Sequence, residues 1–404
     1  MKILTPTSSE ELRAIVEAAL AEQRPLEILG RGSKRALGRP VEAQLALSTE
    51  KLTGVTLYEP GELVMSAKAG TPLAEIEAML AEHRQELAFE PADFGRIGGG
   101  APGSQTIGGV FACNLSGPRR IKTGAARDHL LGLHCVTGFG RAIKTGGRVM
   151  KNVTGYDLCK LLTGSFGTLA VLTEVTFKVL PAAETVGTLL VSGDRETDLL
   201  AALRAAMGTP FDVSGAALLP ASAAARSAVA PVAGTGGPVA AIRVEGPAPS
   251  VDYRLERLTA AVGGEGGECT RLDAEPSRIL WREIRDVELL PRSSCLWRLS
   301  IPPAAAAELL PEFGELGAEC LFDWSGGLVW LATEKVSEEQ ARSIRAAFAP
   351  FGGHATLIRA PQEMRAALDV FQPLPAPLAA LTRRVKESFD PERILNRGRM
   401  YRDC

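Results

Sequence analysis

Apolar residues near the N-terminus recur at the spacing of an amphipathic helix and then give way to short alternating runs. The segment Ser8-Ser9-Glu10-Glu11 is a capping box, and the apolar positions after it predict a helix that ends near Gln23. A second helix is predicted after Thr71-Pro72, with Thr71 as its N-cap. Alternating and β-branched runs predict strands at 26–29, 54–58, 63–68, 130–136 and 169–179.

The second half of the chain alternates apolar strand patterns with amphipathic helix patterns. Pro181 follows the last strand of the first half and marks the predicted domain boundary. An Ala-, Gly- and Pro-rich stretch at 220–238 has little apolar bulk, so it predicts a loop rather than core. Strands are predicted at 239–244, 296–301 and 328–331, and helices at 251–261, 337–348, 361–370 and 378–389.

These patterns together predict an α+β protein. A chain of 404 residues exceeds the size at which one hydrophobic core stops growing, so more than one domain is expected. We expect a mixed first domain over 1–180, a smaller α/β domain over 181–375 and a C-terminal helix and tail over 376–404.

Composition narrows the class of protein. A net charge of -2 provides no concentrated basic face, so we expect no nucleic-acid partner. The seven cysteines are widely spaced and include no Cys-x-x-Cys pair, which favours a reducing, cytoplasmic location. The chain shows no signal-peptide pattern and no apolar stretch of membrane-spanning length, so any membrane association is expected through a partner.

Two glycine-rich segments carry the candidate chemistry. Gly30-Arg31-Gly32-Ser33-Lys34 follows a predicted strand, where unobstructed backbone N–H groups and the basic side chains can approach a pyrophosphate. The third glycine of a dinucleotide fingerprint is replaced by Arg35, so a nicotinamide site is not predicted, and an ordinary turn stays open as the alternative. In the second segment, 105–118, Thr106 can cap a helix whose Gly108 and Gly109 leave room for something flat or anionic.

A third segment begins at Lys151-Asn152-Val153-Thr154 and continues to Leu169. Gly164 and Gly167 flank a predicted turn that leads into a strand, so the backbone groups of Leu169 to Val171 would lie at the edge of a planar ring. A flavin requires backbone partners of this kind. Two of the segments place paired or nearby glycines at the start of regular structure. Each glycine in a helix lowers its stability by up to about 1 kcal/mol, so close packing against a cofactor is the expected reason for them.

Taken in order, the three segments resemble the FAD-binding domain of the vanillyl-alcohol oxidase and p-cresol methylhydroxylase family. The closing tail Phe389-Asp390-Pro391, with Ile394-Leu395-Asn396 and Gly398-Arg399, resembles that family's C-terminal return to the FAD domain. The resemblance implies a PCMH-type FAD-binding domain of two α/β subdomains followed by a cap domain. It assigns FAD contacts to Gly30, Arg31, Gly32, Ser33, Lys34, Pro91, Ser104, Thr106, Ile107, Gly108, Gly109, Asn114, Ser116, Gly117, Arg127, Asp128, Gly164, Gly167, Leu169 and Val171.

Within that family, several motifs are similar to the FAD-binding subunits of glycolate oxidases. They include Gly-Ser-Lys in the first loop, the segment 151–158, Asp323-Trp324-Ser325-Gly326-Gly327 and Gly353-His354-Ala355. This resemblance implies a larger catalytic flavin subunit and an iron–sulfur subunit as partners, with a small 2-hydroxy acid as substrate. The family's third glycine and threonine of the first loop are Lys34 and Arg35 here. Several relatives tether FAD through a histidine in that loop, and none lies there, so a non-covalent flavin is expected.

Catalytic relatives carry a histidine cluster that binds metal, whereas this chain has His83, His129, His134 and His354 only, so no metal site is predicted. Cys113 is interpreted as a small packed residue. The remaining catalytic candidates are Arg298, which could clamp a carboxylate, and Asp323, which could accept a proton. For each of these two, a structural ion pair is the alternative. The basic cluster Arg119, Arg120 and Lys122 is either a solvated loop or a docking surface.

Three hypotheses follow. The first is an FAD-carrying subunit that works with partner subunits to oxidise glycolate to glyoxylate. The second is a self-sufficient FAD-dependent 2-hydroxy-acid dehydrogenase that uses Arg298 and Asp323. The third is a structural subunit that keeps the fold and holds no productive flavin.

Overall fold

The computed structural model describes residues 1–149, 155–263, 267–292 and 295–404. Its contacts divide these residues into two units. The first, here called the N-terminal unit, comprises Met1–Ser116, Gly124–Ala182 and Arg365–Cys404. The second, here called the central unit, comprises Gly117–Thr123 and Ala183–Met364. No helix in the described ranges is long and apolar enough to cross a membrane.

The strands are short in the first half of the chain and longer in the second. They are β1 (Lys2–Leu4), β2 (Leu26–Leu29), β3 (Leu45–Ser48), β4 (Val55–Glu59), β5 (Val64–Lys68), β6 (Gln85–Glu86), β7 (Leu130–Thr137), β8 (Ala142–Gly146), β9 (Ala170–Lys178), β10 (Leu180–Pro181), β11 (Thr185–Ser192), β12 (Gly215–Leu219), β13 (Val239–Gly246), β14 (Glu268–Leu272), β15 (Cys295–Ser300), β16 (Glu319–Asp323), β17 (Leu328–Thr333) and β18 (His354–Arg359).

Helices alternate with these strands, which confirms the predicted α+β class. They are α1 (Ser9–Ala21), α2 (Leu73–Glu82), α3 (Phe94–Ile97), α4 (Ile107–Cys113), α5 (Arg120–Thr123), α6 (Ala126–His129), α7 (Leu158–Leu162), α8 (Glu196–Met207), α9 (Ala221–Ala224), α10 (Ala230–Ala233), α11 (Ala248–Val262), α12 (Ala274–Arg285), α13 (Ala306–Glu315), α14 (Glu338–Phe348), α15 (Gln362–Ala367) and α16 (Ala376–Phe389), with short 3-10 turns at Pro60–Glu62, Pro303–Ala305, Trp324–Gly326 and Ala349–Phe351.

The N-terminal unit contains two larger sheets. One is parallel, in the order β1-β3-β2, and the other is antiparallel, in the order β4-β5-β9-β7-β8. Helix α1 buries its apolar face in a core that includes both sheets. That core contains Leu12, Val16, Ala19, Leu26, Leu47, Leu52, Val136, Val171, Ile394 and Leu395. The last two members come from the C-terminal tail, so the end of the chain is part of the first core.

The predicted helix starts are confirmed in one case and corrected in the other. The Ser8 hydroxyl accepts from the N–H of Glu11 at 3.1 Å, but the Glu11 carboxylate accepts from the N–H of Thr7 rather than closing the box on Ser8. Helix α2 begins at Leu73, and Thr71 is not its N-cap. The Thr71 hydroxyl instead donates to the Lys68 carbonyl at 2.7 Å, because it lies in the corner that follows β5.

The central unit is built on one long antiparallel sheet in the order β14-β11-β13-β12-β16-β17-β15-β18. The predicted loop at 220–238 is wrong, because helices α9 and α10 form within it. Ala223 and Val232 are fully buried there. Small side chains permit close approach of backbones, so low apolar bulk does not exclude a residue from the core.

Helix α16 is anchored by an ion pair that is buried in the N-terminal unit. The Lys386 ammonium donates to the Asp390 carboxylate at 2.6 Å and to the carbonyls of Thr168 and Leu395. The same carboxylate accepts the N–H groups of Ile394 and Leu395 at 3.0 and 2.8 Å. Both charged side chains are almost fully buried, and every polar contact that their burial demands is made within the protein.

We expect Lys386→Met to lower the free energy of unfolding by about 3 kcal/mol, since the substitution leaves the Asp390 carboxylate buried without its cation. Urea denaturation monitored by circular dichroism measures the change. Arg383→Met, on the exposed part of the same helix, is the matched control and should change the free energy by less than about 0.5 kcal/mol. Equal effects of the two substitutions would contradict this role of the ion pair.

Candidate functional site

The loop that follows β2 opens into a cleft that lies in the N-terminal unit. Its walls come from β2 and the loop after it, from helix α4, from the turn before β9 and from the C-terminal tail. The lining residues are Ile28, Leu29, Gly30, Arg31, Gly32, Ser33, Lys34, Arg35, Thr49, Ala69, Thr106, Gly108, Gly109, Ala112, Cys113, Phe166, Gly167, Ala170, Val171, Leu172 and Arg399.

Lys34 is a buried cation on the wall of this cleft. Its side chain is only 8% exposed, and its ammonium donates to the Ser33 hydroxyl at 3.1 Å. In the described part of the chain no carboxylate lies within ion-pair distance of it. Burial lowers the pKa of the Lys34 ammonium to about 8, and the Cys113 thiol and Asp93 oppose that shift. A buried ammonium without a carboxylate favours the binding of an anion from outside the chain.

Arg35, at the loop position where the resemblance leads us to expect threonine, contacts another side chain of the protein. Its guanidinium forms an ion pair with Glu27, the shortest N–O distance being 2.6 Å. That carboxylate is in turn almost buried. Of the two departures from the family's loop, Arg35 is therefore neutralised within the chain, whereas Lys34 keeps its charge for the cleft.

Helix α4 forms the second wall, and its two glycines occupy different surroundings. The Thr106 hydroxyl caps the helix by accepting from the N–H of Gly109 at 3.4 Å, as predicted. A Cβ on Gly108 would lie 2.6 Å from the Cβ of Ala69, so close packing within the protein requires this glycine. A Cβ on Gly109 would lie 3.5 Å from Lys34 Nζ, which places that position at the cleft.

The third wall is apolar. Phe166 and Gly167 precede β9, whose first residues Ala170 to Leu172 line the cleft. Cys113, interpreted from the sequence as a packed residue, lines the cleft at the end of α4. Burial raises the pKa of its thiol, and the nearby Lys34 and Arg399 oppose that rise. The cleft thus combines an apolar wall with two buried cations.

A second group of predicted contacts forms a hydrogen-bonded network outside the cleft lining. The side chains of Asn114 and Ser116 accept from the N–H groups of Arg127 and Ala126 at 3.0 and 2.9 Å. The Arg127 guanidinium donates to the Thr163 carbonyl at 2.7 Å, and the Asp128 carboxylate accepts the N–H of Ala125. These polar groups therefore fasten α4, α6 and α7 to one another, and contact of these residues with a cofactor stays a prediction.

The other predicted positions also lie outside the cleft lining. Pro91, Ile107 and Leu169 are buried, and the Ser104 hydroxyl donates to the Ala101 carbonyl. Gly164 has φ of +82° in the turn before β9, and the Gly117 carbonyl accepts from the Trp324 indole within the central unit. Lys151, Asn152, Val153 and Thr154 lie outside the described residues.

Arg399 is a charged cleft residue that the predicted cofactor contacts do not include. It lies in the C-terminal tail, is 6% exposed and donates to the Lys34 carbonyl at 2.7 Å. The only sequence signal for it was its place in the tail motif that resembles the family's C-terminal return. A positive charge in the tail does not by itself predict a place in the cleft, because Arg397, two positions before Arg399, is exposed.

The candidates of the central unit lie around Trp324. The guanidinium carbons of Arg120 and Arg298 lie 4.3 and 5.1 Å from the centre of the indole ring. Asp323 is 2% exposed, and its carboxylate accepts the N–H of Trp324 at 2.7 Å. Burial and then the neighbouring Arg120 lower the pKa of Arg298 to about 10. Two guanidinium groups on one aromatic ring form a cationic surface within this unit.

Two members of the basic cluster before α6 form ion pairs with carboxylates of the protein. Arg119 pairs with Glu245 at 2.6 Å, and Lys122 pairs with Asp212.

The histidines lie in helices, strands or packed contacts. His83 ends α2, and its ring lies 5.2 Å from the Tyr58 ring. The ring of the fully buried His129 lies 5.2 Å from the Phe89 ring. His134 lies in β7. Among the described residues, no group of three or more His, Cys, Asp or Glu side chains is placed to hold a metal ion.

Comparison with known proteins relates this geometry to FAD. The family described as FAD binding domain matches residues 2–146. Glycolate oxidase subunit GlcE of Escherichia coli is 36% identical over 400 residues, which cover 97% of each chain. D-lactate dehydrogenase of Archaeoglobus fulgidus is 35% identical over 182 residues, covering 44% of this chain and 38% of the relative. The chain therefore carries an FAD-binding domain of the FAD-linked oxidoreductases.

Solved structures support the fold alone. 4-Ethylphenol oxidase from Gulosibacter chungangensis superposes with a TM-score of 0.70 at 15% identity, covering 99% of this chain and 88% of that one. p-Cresol methylhydroxylase superposes with a TM-score of 0.68 at 14% identity, over the same shares of the two chains. The PCMH-type fold that the resemblance implied is thereby confirmed.

The cleft residues fit FAD. Its diphosphate is an anion that would compensate the buried cations of the cleft, and its ring system needs an apolar wall of the kind that Phe166 and Ala170 to Leu172 supply. Lys34 and the exposed Arg31 are residues that would hold the phosphates.

We expect FAD affinity to fall as the pH rises from 7 to 9.5. In the free protein Lys34 is largely protonated at pH 7 and largely neutral at pH 9.5, because its pKa is about 8. Loss of one charge-assisted contact should raise the Kd of FAD about tenfold. Fluorescence titration of the cofactor-free protein with FAD measures this dependence.

Two variants isolate the lysine. Lys34→Arg keeps its charge throughout this pH range, so its Kd should change little with pH, and Lys34→Gln should bind FAD weakly at every pH. If Lys34→Gln retained the pH dependence of the unmodified protein, another group would be responsible for it.

Proposed function

This chain belongs to the glycolate oxidase subunit GlcE family of FAD-linked oxidoreductases, and from that membership we propose that it is the FAD-binding subunit of a glycolate oxidase complex. The observation that supports the proposal is the cleft with its two buried, carboxylate-free cations and apolar wall. The cofactor is held without a covalent bond, since the loop that carries the tethering histidine in relatives is Gly30 to Lys34 here.

Oxidation of glycolate to glyoxylate removes two electrons and two protons. In the complex a flavin would accept the hydride that leaves the α-carbon of the substrate, and the role of this chain would be electron transfer or assembly. The residues of this chain would hold its own FAD: Lys34 would neutralise the phosphates, and the apolar start of β9 would exclude water from the ring. The hydroxyl proton of the substrate passes to solvent or to a partner, and the hydrogen taken as hydride is released as a proton when the two electrons move on.

The electrons leave through partner subunits in this proposal. The partners that the resemblance implies are a larger catalytic flavin subunit and an iron–sulfur subunit. The seven cysteines of this chain lie far apart in the sequence, so an iron–sulfur cluster is expected in a partner. The complex works in the cytoplasm, and any contact with the inner membrane is made by those partners.

The proposal is tested by the visible spectrum of the purified chain. We expect a flavin spectrum that anaerobic glycolate does not bleach in the isolated chain and does bleach in the assembled complex. Acid precipitation should release all of the flavin into the supernatant. A folded but colourless chain that takes up no added FAD would refute the proposal and favour the structural-subunit hypothesis.

A second candidate, a self-sufficient 2-hydroxy-acid dehydrogenase, is favoured by the setting of Arg298. Within the described residues its guanidinium forms no ion pair, although the Asp323 carboxylate opposes the lowering of its pKa, and its side chain faces the Trp324 ring. The turn that carries Trp324 holds three successive residues with positive φ, at 53°, 56° and 92°. Strained turns of this kind are often retained for function, and a guanidinium is suited to bind the substrate carboxylate.

In this second candidate, Asp323 stabilises the turn and does not accept a proton from the substrate. Its carboxylate is buried and accepts the N–H of Trp324, which stabilises the left-handed residues that follow. Asp323→Asn keeps one acceptor for that N–H, so we assign Asp323 a positioning role. Arg298 is then the residue through which this chain itself would recognise a 2-hydroxy acid.

If the second candidate is right, the isolated chain should be bleached by glycolate, and Arg298→Gln should raise the KM for glycolate about tenfold or more while FAD content is unchanged. Steady-state reduction of an artificial electron acceptor measures both parameters. Arg285→Gln is a control, because Arg285 pairs with Asp286 and should affect KM little. Bleaching that Arg298→Gln leaves unaltered would reject Arg298 as the substrate contact.

A further inference from the structure

The tail that follows α16 fastens two walls of the FAD cleft to each other. We call residues 390–399 the C-terminal clasp. At its start, Asp390 accepts from Lys386, and Lys386 also donates to the carbonyl of Thr168 in the turn before β9. At its end, Arg399 donates to the carbonyl of Lys34 in the loop after β2. The clasp therefore contacts the cleft walls at both of its ends.

Asn396 makes the middle connection. Its side-chain oxygen accepts from the N–H of Ile28 at 2.8 Å, and its side-chain nitrogen donates to the carbonyl of Phe166 at 2.7 Å. Ile28 and Phe166 both line the cleft, on different walls. A Cβ on Gly167, which has φ of +68°, would lie 2.9 Å from the Asn396 amide nitrogen, so this contact requires glycine there. One amide group thus sets the distance between the two walls.

Arg399 brings a charge into the cleft itself. Its carbonyl accepts from the N–H of Arg39 at 2.9 Å, which together with its bond to Lys34 fixes the residue from both ends. Burial lowers the pKa of its guanidinium, and in the described ranges it has no carboxylate within ion-pair distance. Among the described residues, the Arg399 guanidinium donates one hydrogen bond, to the Lys34 carbonyl, which leaves most of its donors available.

We propose that Arg399 is a ligand of the FAD diphosphate and that Asn396 is a positioning residue that controls how long FAD stays bound. The inference rests on FAD binding by this chain and adds a residue to the site. A guanidinium presents forked donors that match two phosphate oxygens, whereas the Lys34 ammonium offers a point charge. Together they match the two negative charges of a diphosphate.

The test compares Arg399→Gln with Arg397→Gln. Arg397 is exposed in the same tail, so it controls for the loss of one positive charge. Titration of each cofactor-free protein with FAD, with ADP and with riboflavin separates the diphosphate from the ring. We expect Arg399→Gln to weaken FAD and ADP binding at least about tenfold and to leave riboflavin binding unchanged. Arg397→Gln should bind all three ligands as the unmodified protein does.

Asn396→Ala supplies a separate measurement. It removes no charge, so we expect its dissociation rate for FAD to rise by about tenfold while the salt dependence of FAD binding stays that of the unmodified protein. Arg399→Gln should in contrast reduce that salt dependence.

The outcomes test the proposed function and the role of Arg399 separately. If the unmodified protein binds neither FAD nor ADP, the proposed function fails. If it binds both and Arg399→Gln binds them equally well, the role of Arg399 is overturned. Thermal melts without cofactor accompany each variant, and if Arg399→Gln is unfolded, Arg399→Lys takes its place. Arg399→Lys keeps one cation and loses the fork, so its ADP affinity should fall at least about threefold, and an unchanged affinity would overturn the inference.

Discussion

A buried positive charge without a carboxylate beside it is the constraint on which the cofactor site depends. Lys34 and Arg399 both lie in the cleft of the N-terminal unit, and in the described part of the chain neither has an ion-pair partner. Removing a cation from water is costly unless an anion compensates it. In the proposed site, a bound diphosphate would compensate that cost. The affinity for FAD is therefore connected directly to the stability of the empty cleft.

The second requirement is that the cleft walls keep their separation. Neighbouring walls of the site come from distant parts of the sequence, and the clasp joins them through Asn396 and through the pair of Lys386 and Asp390. Its Ile394 and Leu395 also belong to the hydrophobic core under α1. The same residues thus supply apolar burial, backbone hydrogen bonds and one charge of the site. Preorganisation of this kind lowers the ordering cost of binding.

Local patterns predicted regular structure well and failed where tertiary contacts decide. The Thr106 cap, the strands around 26–29 and 130–136 and the helix after Ser8 could be predicted because their signals are local. Thr71 was misassigned because its hydroxyl bonds to a strand carbonyl, and 220–238 was misassigned because close packing of alanines leaves no periodic signal. Arg399 could not be predicted as a cleft residue, since its place depends on a return of the chain over more than 360 positions.

The central unit also contains a short piece from the first part of the sequence. Gly117–Thr123 belongs to it, held by the pair of Arg119 with Glu245, although the residues on both sides of that piece belong to the N-terminal unit. Neither unit is continuous in sequence. During synthesis from the N-terminus, the first core lacks Ile394 and Leu395 until the whole of the central unit has been made. The cofactor domain is consequently completed after the central unit, although its first strands are made before it.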